Sequence, residues 1–473
     1  MKRHNSRQER ARKRTESYRT KVCIPSSRTI RMLLLVIIFG IAIMATVITL
    51  RFYPNTEHKS PTLEQPETTL ATVEALKKQE LELSNQLVED FPRDQGSINL
   101  LANVHNNHGN RAEAQKYWEQ IVLLNPNNAA AYDSLARIAL LKEEHAKAIQ
   151  LWKKTLQIDP DMFGVHFRLA RALMATGQSQ QAIVALKKDL EISPKTSASY
   201  YLLGQLYLQL KDYKQAKQNF KAAIQIQHNN TEAYYGLATV CMRLEQTDEA
   251  RKFMEEFKKL KTQDVRADKD RRGAYDDLKA IKSQVAQTCT EAGNIYHKHS
   301  NTQKAEQFWR KAAALDTGNI ACRTNLAALY QWNNNVEQAL EISEQLRMLE
   351  PDNPVRHFNV GVLNARLNKF EAAEKAFQMS RELAPQQSDS YRMLAQMYME
   401  TNRATAEALA LARKAVQLEP KAENYFVLGA VLVKNNNRTE ALAALKRAIE
   451  LDPGNPKYRR IYELFQKRIQ KEN

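Results

Sequence analysis

Along most of the chain, hydrophobic and polar residues alternate with the period of an amphipathic α-helix. In residues 197–230, Tyr200, Leu203 and Tyr207 recur at intervals of three and four residues, which places their side chains on one face of a helix. A second stripe, which includes Phe220, follows in the same window. The pattern predicts two successive helices in this window and no strand.

The two-helix window recurs at an interval of 34 residues. Most windows have a proline at the same position near the end, and we call this position the proline slot. Proline has no amide hydrogen and disfavours helix in the residue before it, so the slot ends the second helix of each window. Two windows and 21 extra residues separate the two halves of the series. The slots are Pro92, Pro126, Pro160, Pro194, His228, Thr317, Pro351, Pro385, Pro420 and Pro453.

Ten full windows begin at residues 95, 129, 163, 197, 231, 286, 320, 354, 388 and 422. Alanine or glycine recurs where two helices must approach closely, and aromatic residues recur where a neighbour leaves space. These windows resemble the tetratricopeptide repeat, a family of 34-residue helix–turn–helix units. The resemblance implies an all-α solenoid that binds other proteins, and it covers roughly four fifths of the chain.

Around the repeats, the sequence predicts further segments. A degenerate first repeat is expected at 68–94, and the array at 95–262 is interrupted by a charged insertion at 263–285. This insertion either lengthens the second helix of its repeat and loops back, or bends the solenoid into two sub-arrays. A second array at 286–455 ends in a solvated capping helix at 456–473, as the end of a solenoid requires.

Residues 32–50 form a run of nineteen residues without a charge. As a helix this run spans about 28 Å, close to the hydrocarbon thickness of a bilayer. A buried core helix is one alternative, and a cleaved signal peptide is another, but no A-x-A-like cleavage site follows the run. We therefore predict an uncleaved transmembrane signal anchor.

The distribution of charge predicts the orientation of this anchor. The chain has a net charge of +17, and residues 1–31 contain eleven Lys and Arg against two Glu. The positive-inside rule keeps this basic tail in the cytoplasm and places the repeats, after a tether at 51–67, on the exported side. In a bacterium this is the periplasmic face of the inner membrane. A cytoplasmic solenoid and a tail that binds nucleic acid are the alternatives.

The resemblance also implies that the first helices of the repeats line a groove that holds partner proteins or peptides. By this correspondence, two rows of positions face the groove, and in the second half of the chain they include Thr324 and Ala328. Asparagine can bond a peptide backbone, arginine can bind a carboxylate, and aromatic rings provide apolar contact. The predicted partner-binding residues are Asn99, Asn103, Arg137, Phe167, Arg171, Tyr201, Gln205 and Tyr235.

The sequence lacks the common motifs for catalysis and cofactor binding. The chain has only 13 glycines and contains no GxGxxG, GxxxxGK[ST], HExxH or GxSxG motif. His105 with His108, and His297 and His299 with Cys289, match no zinc-binding spacing. We therefore predict no metal, no cofactor and no enzymatic activity.

The cysteines have no CxxC spacing. Cys241 and Cys289 occupy packing positions of the repeat. The sequence does not decide whether two of Cys241, Cys289 and Cys322 form a disulfide. The sequence predicts a membrane-anchored scaffold or adaptor for proteins of the cell envelope. An envelope maturation or chaperone-like factor, such as one for cytochrome biogenesis, is the alternative, and an enzyme with an unrecognised site is a third hypothesis.

Overall fold

The computed structural model describes residues 73–273, 277–403 and 405–472, and within them all regular structure is α-helical. The described part of the chain contains 22 helices. They are α1 Val73–Asp90, α2 Gln95–Asn107, α3 Arg111–Leu124, α4 Ala129–Leu141, α5 His145–Ile158, α6 Val165–Ala175, α7 Ser179–Ile192, α8 Ser197–Gln209, α9 Tyr213–Ile226, α10 Thr231–Arg243, α11 Thr247–Gly273, α12 Asp277–Lys298, α13 Thr302–Leu315, α14 Ile320–Trp332, α15 Val336–Leu349, α16 Pro354–Arg366, α17 Phe370–Leu383, α18 Ser388–Glu400, α19 Thr405–Leu418, α20 Ala422–Lys434, α21 Arg438–Leu451 and α22 Pro456–Glu472.

The helices divide into two compact units, of which unit 1 ends at Ser300 and unit 2 begins at Asn301. Within unit 1, the pairs α2–α3, α4–α5, α6–α7, α8–α9 and α10–α11 each form a helical hairpin. Within unit 2, α14–α15, α16–α17, α18–α19 and α20–α21 do the same. The described part of the predicted insertion at 263–285 is helical, and it forms the end of α11 and the beginning of α12.

The turn between the two helices of each repeat has the same backbone conformation. One residue per turn has a positive φ, and these residues follow one another at the 34-residue interval except between Glu245 and Ser300. Glycine and asparagine tolerate the left-handed conformation better than other residues, and asparagine fills this position four times in unit 2. The residues are Gly109, Glu143, Gly177, Lys211, Glu245, Ser300, Asn334, Asn368, Asn402 and Asn436.

An asparagine side chain caps the amino end of several first helices. The Asn128 Oδ1 accepts a hydrogen bond from the Ala131 amide at 3.0 Å, and Asn230 bonds the Ala233 amide in the same way. Such a cap satisfies one of the amides that a helix leaves unpaired at its first turn. The proline slot and the capping residue that follows it therefore fix the boundary between consecutive repeats.

In most repeats, one position supplies a large side chain to the core, and we call it the core position. It lies on the second helix, and its side chains are almost fully buried in most repeats. Because protein interiors are close-packed, a side chain this large must meet small residues on the helices around it. The core position is occupied by Trp118, Trp152, Leu186 and Phe220 in unit 1 and by Trp309, Phe377, Leu411 and Leu445 in unit 2.

Glycine provides this space where the core position holds phenylalanine. A Cβ atom on Gly204 or on Gly236 lies only 2.6 Å from the nearest ring atom of Phe220. In unit 2, a Cβ atom on Gly361 lies equally close to the ring of Phe377. Glycine costs about 1 kcal/mol relative to alanine in a helix interior, so the close approach of the ring, and not helix propensity, accounts for glycine at these positions.

The first and last helices of unit 1 pack against each other. Glu80 on α1 is completely buried. Its carboxylate accepts hydrogen bonds from the Thr288 hydroxyl at 2.6 Å and from the Gln284 amide at 2.9 Å, both on α12. It also lies 2.8 Å from the His108 Nε2 at the end of α2. One buried carboxylate thus joins α1 and the end of α2 to α12, a helix about two hundred residues later in sequence.

A second polar contact joins the loop before α2 to the end of α12. Asp94 caps α2 by accepting hydrogen bonds from the amides of residues 96 and 97. Its other carboxylate oxygen accepts a hydrogen bond from the Lys298 ammonium at 2.6 Å and lies 3.1 Å from the His299 Nε2. The His299 ring also stacks on Phe91 with 4.1 Å between ring centroids. Burial alone raises the Asp94 pKa, but these hydrogen bonds outweigh it and lower the pKa to about 2.

The carboxyl-terminal helix α22 covers the last repeat of unit 2. Tyr458 is 2% exposed and packs on Phe426 with 4.9 Å between ring centroids. The Lys457 ammonium lies 5.0 Å from the centre of the same ring, and Arg459 and Arg460 on the outer face are exposed. This helix lies in the segment predicted to cap the solenoid.

The predicted transmembrane segment 32–50 and the basic tail 1–31 lie outside the described residues. Among the helices between residues 73 and 472 that the structure describes, none combines the length and the hydrophobicity needed to cross a bilayer.

Replacing Gly361 with alanine tests the packing of glycine against the core position. The new Cβ collides with the Phe377 ring, and such overpacking costs about 1–3 kcal/mol, which exceeds the gain in helix propensity. We expect a loss of about 1 kcal/mol or more in the free energy of unfolding, measured by urea denaturation. In a Phe377→Ala background the same change becomes neutral or stabilising. An equal loss in both backgrounds contradicts this packing.

Replacing Asp94 with asparagine tests the polar contact between α12 and the start of α2. Because the pKa in the folded state lies near 2, below the ordinary value of 3.8, the carboxylate stabilises the fold above pH 3.8 and loses this effect as the pH falls through 2. Asparagine keeps the helix cap but not the charge. At pH 7 we expect the free energy of unfolding of the variant to be about 1–2 kcal/mol lower than that of the wild type, and this difference is expected to shrink towards pH 2. Urea denaturation measures both values. A deficit that is constant with pH contradicts this origin.

Candidate partner-binding surface

The residues that the sequence predicts for partner binding all lie on the first helices of the repeats of unit 1. They occupy matching turns of successive helices, because the 34-residue interval preserves their position in each repeat. Asn99 and Asn103 lie on α2, Arg137 on α4, Phe167 and Arg171 on α6, Tyr201 and Gln205 on α8, and Tyr235 on α10.

Neighbouring first helices are in contact, so their side chains form a continuous surface. The Arg168 Nε on α6 donates a hydrogen bond to the Asp133 Oδ1 on α4 at 3.0 Å. Further along the unit, α8 lies directly beside α10. A ligand that lies across one first helix therefore meets side chains of the next.

Three of the predicted residues are open to solvent. The Arg137 side chain is 53% exposed, although its Nε lies 3.5 Å from Asp133. Arg171, one repeat further along on α6, is exposed. Tyr235 is 53% exposed, and its ring lies 5.3 Å from that of Phe257 on α11. These side chains offer two guanidinium groups and an aromatic ring for recognition.

Other predicted residues are partly used in packing. The Asn99 Oδ1 accepts a hydrogen bond from the Trp118 indole at 3.1 Å, and Phe167 is half-buried against the core of unit 1. The Gln205 amide donates to the Tyr201 hydroxyl at 2.6 Å. Burial raises the Tyr201 pKa, and the nearby Glu232 raises it further.

Asn103 is half-buried on α2. Since Asn99, Phe167, Tyr201 and Gln205 are also partly used in packing, only part of the predicted surface is fully exposed. The side chains with the most accessible area are the two arginines, 137 and 171, and Tyr235.

A buried polar network surrounds Asp133, and it was not predicted from the sequence. This residue is 5% exposed and accepts the Trp152 indole N–H at 2.8 Å as well as Arg168. The signal was present in the sequence, since Trp152 follows Asp133 by 19 residues just as Trp118 follows Asn99. In both repeats, a polar residue of the first helix accepts the indole N–H of the core position.

The two histidine pairs considered as metal ligands have other partners. His108 lies against Glu80, His299 against Asp94, and His105 stacks on Tyr117 with 5.5 Å between ring centroids. Within the part of the chain that the structure describes, no group of three or more His, Cys, Asp or Glu side chains is placed to hold a metal ion.

Three cysteines lie among the described residues, and the side chain of each is buried: Cys241, Cys289 and Cys322. Burial raises the pKa of Cys322 to about 11 and also raises that of Cys241. Because the thiolate is the reactive form, these two thiols have the character of packing residues.

Comparison with known families identifies the repeats. Three profiles, each described as a tetratricopeptide repeat, match the chain. They match residues 139–206, 207–269 and 296–357, residues 99–163 and 361–423, and residues 422–455.

Among curated proteins, the chain is similar to the protein O-mannosyl-transferase TMTC3 of Homo sapiens, with 24% identity over 181 residues. This match covers 35% of the chain and 20% of TMTC3. The Mus musculus protein matches over the same lengths. The chain thus spans about a fifth of the length of the curated relatives it matches.

Among solved structures, similarity extends to MamA, with 19% identity, a TM-score of 0.34 and coverage of 35% of this chain and 97% of that one. It extends also to YrrB, a TPR protein with an unusual peptide-binding site, with 17% identity, a TM-score of 0.29 and coverage of 44% and 96%. Since the family profiles match most of its length and its paired helices follow the 34-residue interval, the chain belongs to the tetratricopeptide repeat family.

Proposed function

We propose that the protein is a membrane-anchored scaffold or adaptor that binds partner proteins or peptides of the cell envelope along the first helices of its repeats. The observation that carries this proposal is the accessible surface of unit 1, where Arg137, Arg171 and Tyr235 are exposed on three first helices of one continuous row. Arginine and tyrosine are among the residues that contribute most to protein interfaces.

The arrangement suits binding better than catalysis. The helices α4, α6, α8 and α10 are held in place by buried core residues, so the surface is already formed before a partner arrives. A preformed surface loses little conformational entropy on binding. Several adjacent repeats can contact one extended or helical segment, and their contributions combine. TMTC3 is named as an O-mannosyl-transferase, but the similarity to a fifth of its length gives no reason to propose that activity for this chain.

The anchor adds to this role by holding the binding surface at the membrane. The uncharged run at 32–50 and the basic residues at 1–31 support this part of the proposal. Confinement to a membrane raises the effective concentration of the surface towards partners held at the same membrane. The tether at 51–67 gives the array freedom to reach them.

Substitution of the two exposed arginines tests the binding surface. Full-length Arg137→Ala/Arg171→Ala protein, tagged and cross-linked in cells, is expected to recover at least about tenfold less of its partner proteins than the wild type, because truncated hot-spot residues cost more than 1 kcal/mol. Recovery is measured by quantitative mass spectrometry after purification.

Lys147→Ala is the matched control for this experiment. The Lys147 side chain is also 53% exposed, but it lies on the second helix α5. The Lys147→Ala protein is expected to recover partners at the level of the unsubstituted tagged chain. Unchanged recovery by the double variant, or an equal loss in the control, argues against binding along the first helices.

Protease accessibility tests the orientation of the anchor. In cells whose outer barrier is opened while the inner membrane stays intact, added protease is expected to degrade the repeats and to spare an epitope attached at the amino terminus. Immunoblots against both ends measure the outcome. If the repeats are degraded only after the inner membrane is lysed, the solenoid is cytoplasmic and the envelope role is wrong.

A further inference from the structure

One repeat of unit 2 lacks the large side chain at its core position. Through the ten repeats this position follows the 34-residue interval within each unit, and in nine of them it holds tryptophan, phenylalanine, leucine or methionine. In α15 it holds Ser343, which is 3% exposed. The residues in chain order are Trp118, Trp152, Leu186, Phe220, Met254, Trp309, Ser343, Phe377, Leu411 and Leu445.

A cavity of about 140 Å³ lies where this side chain is missing. It is formed by three consecutive helices of unit 2. Those of its lining residues that define its walls are Ser343 and Leu346 on α15, Thr324, Ala327 and Ala328 on α14, and Asn359 on α16.

The walls of the cavity correspond to the residues that surround a phenylalanine elsewhere in the chain. The Phe220 ring lies between Gly204, the eighth residue of its own first helix, and Gly236, the sixth residue of the next first helix. The eighth residue of α14 is Ala327, and the sixth residue of α16 is Asn359. The cavity therefore has the position that a core aromatic side chain occupies in another repeat.

The cavity also offers the polar contact that core tryptophans use. Trp118 and Trp152 donate their indole N–H to Asn99 and Asp133, each at the fifth residue of its first helix. The fifth residue of α14 is Thr324. Its hydroxyl donates to the Ile320 carbonyl at 2.9 Å, and a hydroxyl oxygen that donates one bond can still accept another.

The cavity opens on the side of the repeat that carries the predicted groove positions. Thr324 and Ala328 belong to the two rows that the family resemblance places in the groove, and Gln331 continues that face by one turn. Arg356 also lines the cavity, but its guanidinium is paired with Glu350 at 2.6 Å. The site thus combines small apolar walls with neutral polar groups, which suits a neutral ring better than an acid.

We propose that this cavity is a specificity pocket for one aromatic side chain of a partner protein, which the partner inserts between α14 and α16 while its backbone lies along the first helices of unit 2. The inserted ring of the partner fills the space that a core side chain of this protein occupies in other repeats. Its volume is close to the roughly 150 Å³ at which a cavity in a protein interior binds benzene. The identity of the pocket's natural ligand rests on the proposed function, since it requires a protein partner.

Filling the core position from within the chain tests the pocket directly. In full-length Ser343→Phe and Ser343→Leu proteins, the new side chain occupies the cavity as it does in other repeats. We expect the thermal unfolding midpoint to stay at or above that of the wild type. Glu341→Phe is the matched control, because it adds the same ring to α15 at an exposed position.

Indole serves as the probe, and the alanine methyl groups beside the pocket serve as reporters. In wild-type and Glu341→Phe proteins with labelled alanine methyls, indole is expected to shift the Ala327 and Ala328 signals in a saturable manner and at lower concentration than cyclohexanol. In both Ser343 variants these shifts are expected to be lost. Shifts that persist in the Ser343 variants, or a lower unfolding midpoint in both of them, overturn the pocket. Equal binding of cyclohexanol overturns its preference for aromatic rings.

Partner recovery separates this inference from the proposed function. If partners are recovered by the wild type and lost at least tenfold by Ser343→Phe but not by Glu341→Phe, the pocket takes part in recognition. If Ser343→Phe recovers partners as the wild type does, the pocket is not a specificity site, although the proposed function stands. If no variant and no wild-type chain recovers a partner, the proposed function fails, and a partner's side chain is no longer the pocket's ligand.

Discussion

The packing of one large side chain per repeat against small residues of the neighbouring first helices is the contact on which both units depend. A two-helix hairpin cannot bury its apolar face alone, so each repeat is stable only when the next one covers it. The side chain at the core position makes this contact, because it packs between the first helix of its own repeat and the first helix of the next repeat. Phe220 between Gly204 and Gly236 shows the contact at its closest. The spacing of the first helices, and therefore the surface that they present, follows from this contact.

Unit 1 adds a second constraint, which is polar. Glu80 loses its hydration completely on folding, and an unpaired buried carboxylate is strongly unfavourable. The two donors from α12 and the adjacent His108 provide the partners that make its burial tolerable. Because these partners come from both ends of the unit, the contact forms only when α1, α2 and α12 are all in place. The segment nearest the predicted tether is thereby fixed to a helix that lies about two hundred residues later in the chain.

Much of the fold could be predicted from local sequence, because each repeat is made by short-range features. The proline slots, the helical stripes and the 34-residue interval predicted the repeats that the family profiles confirm. The contacts of α1 could not be predicted in this way. Glu80 and Thr288 are each ordinary polar residues in their own helices, and no interval links them. Only the path of the whole unit brings them together.

The exposure of the predicted partner-binding residues was predictable to a smaller degree, for a related reason. The interval predicts which turn of a helix a residue occupies, and so it placed Phe167 and Tyr235 on equivalent turns of α6 and α10. It does not reveal whether a neighbour already uses the side chain, which depends on the size of residues on other helices. Phe167 is half-buried against the core, whereas Tyr235 is 53% exposed.

The same dependence on neighbours explains how one repeat design can serve either stability or recognition. At the core position, a tryptophan or phenylalanine completes the interior, and its indole N–H can find an acceptor on the first helix, as Trp152 does at Asp133. A serine at that position leaves the walls and the acceptor in place and removes only the ring. At Ser343 the three surrounding helices leave a cavity of about 140 Å³. A solenoid can therefore acquire a recognition site by substitution at a single buried position, at a cost in stability that its other repeats absorb.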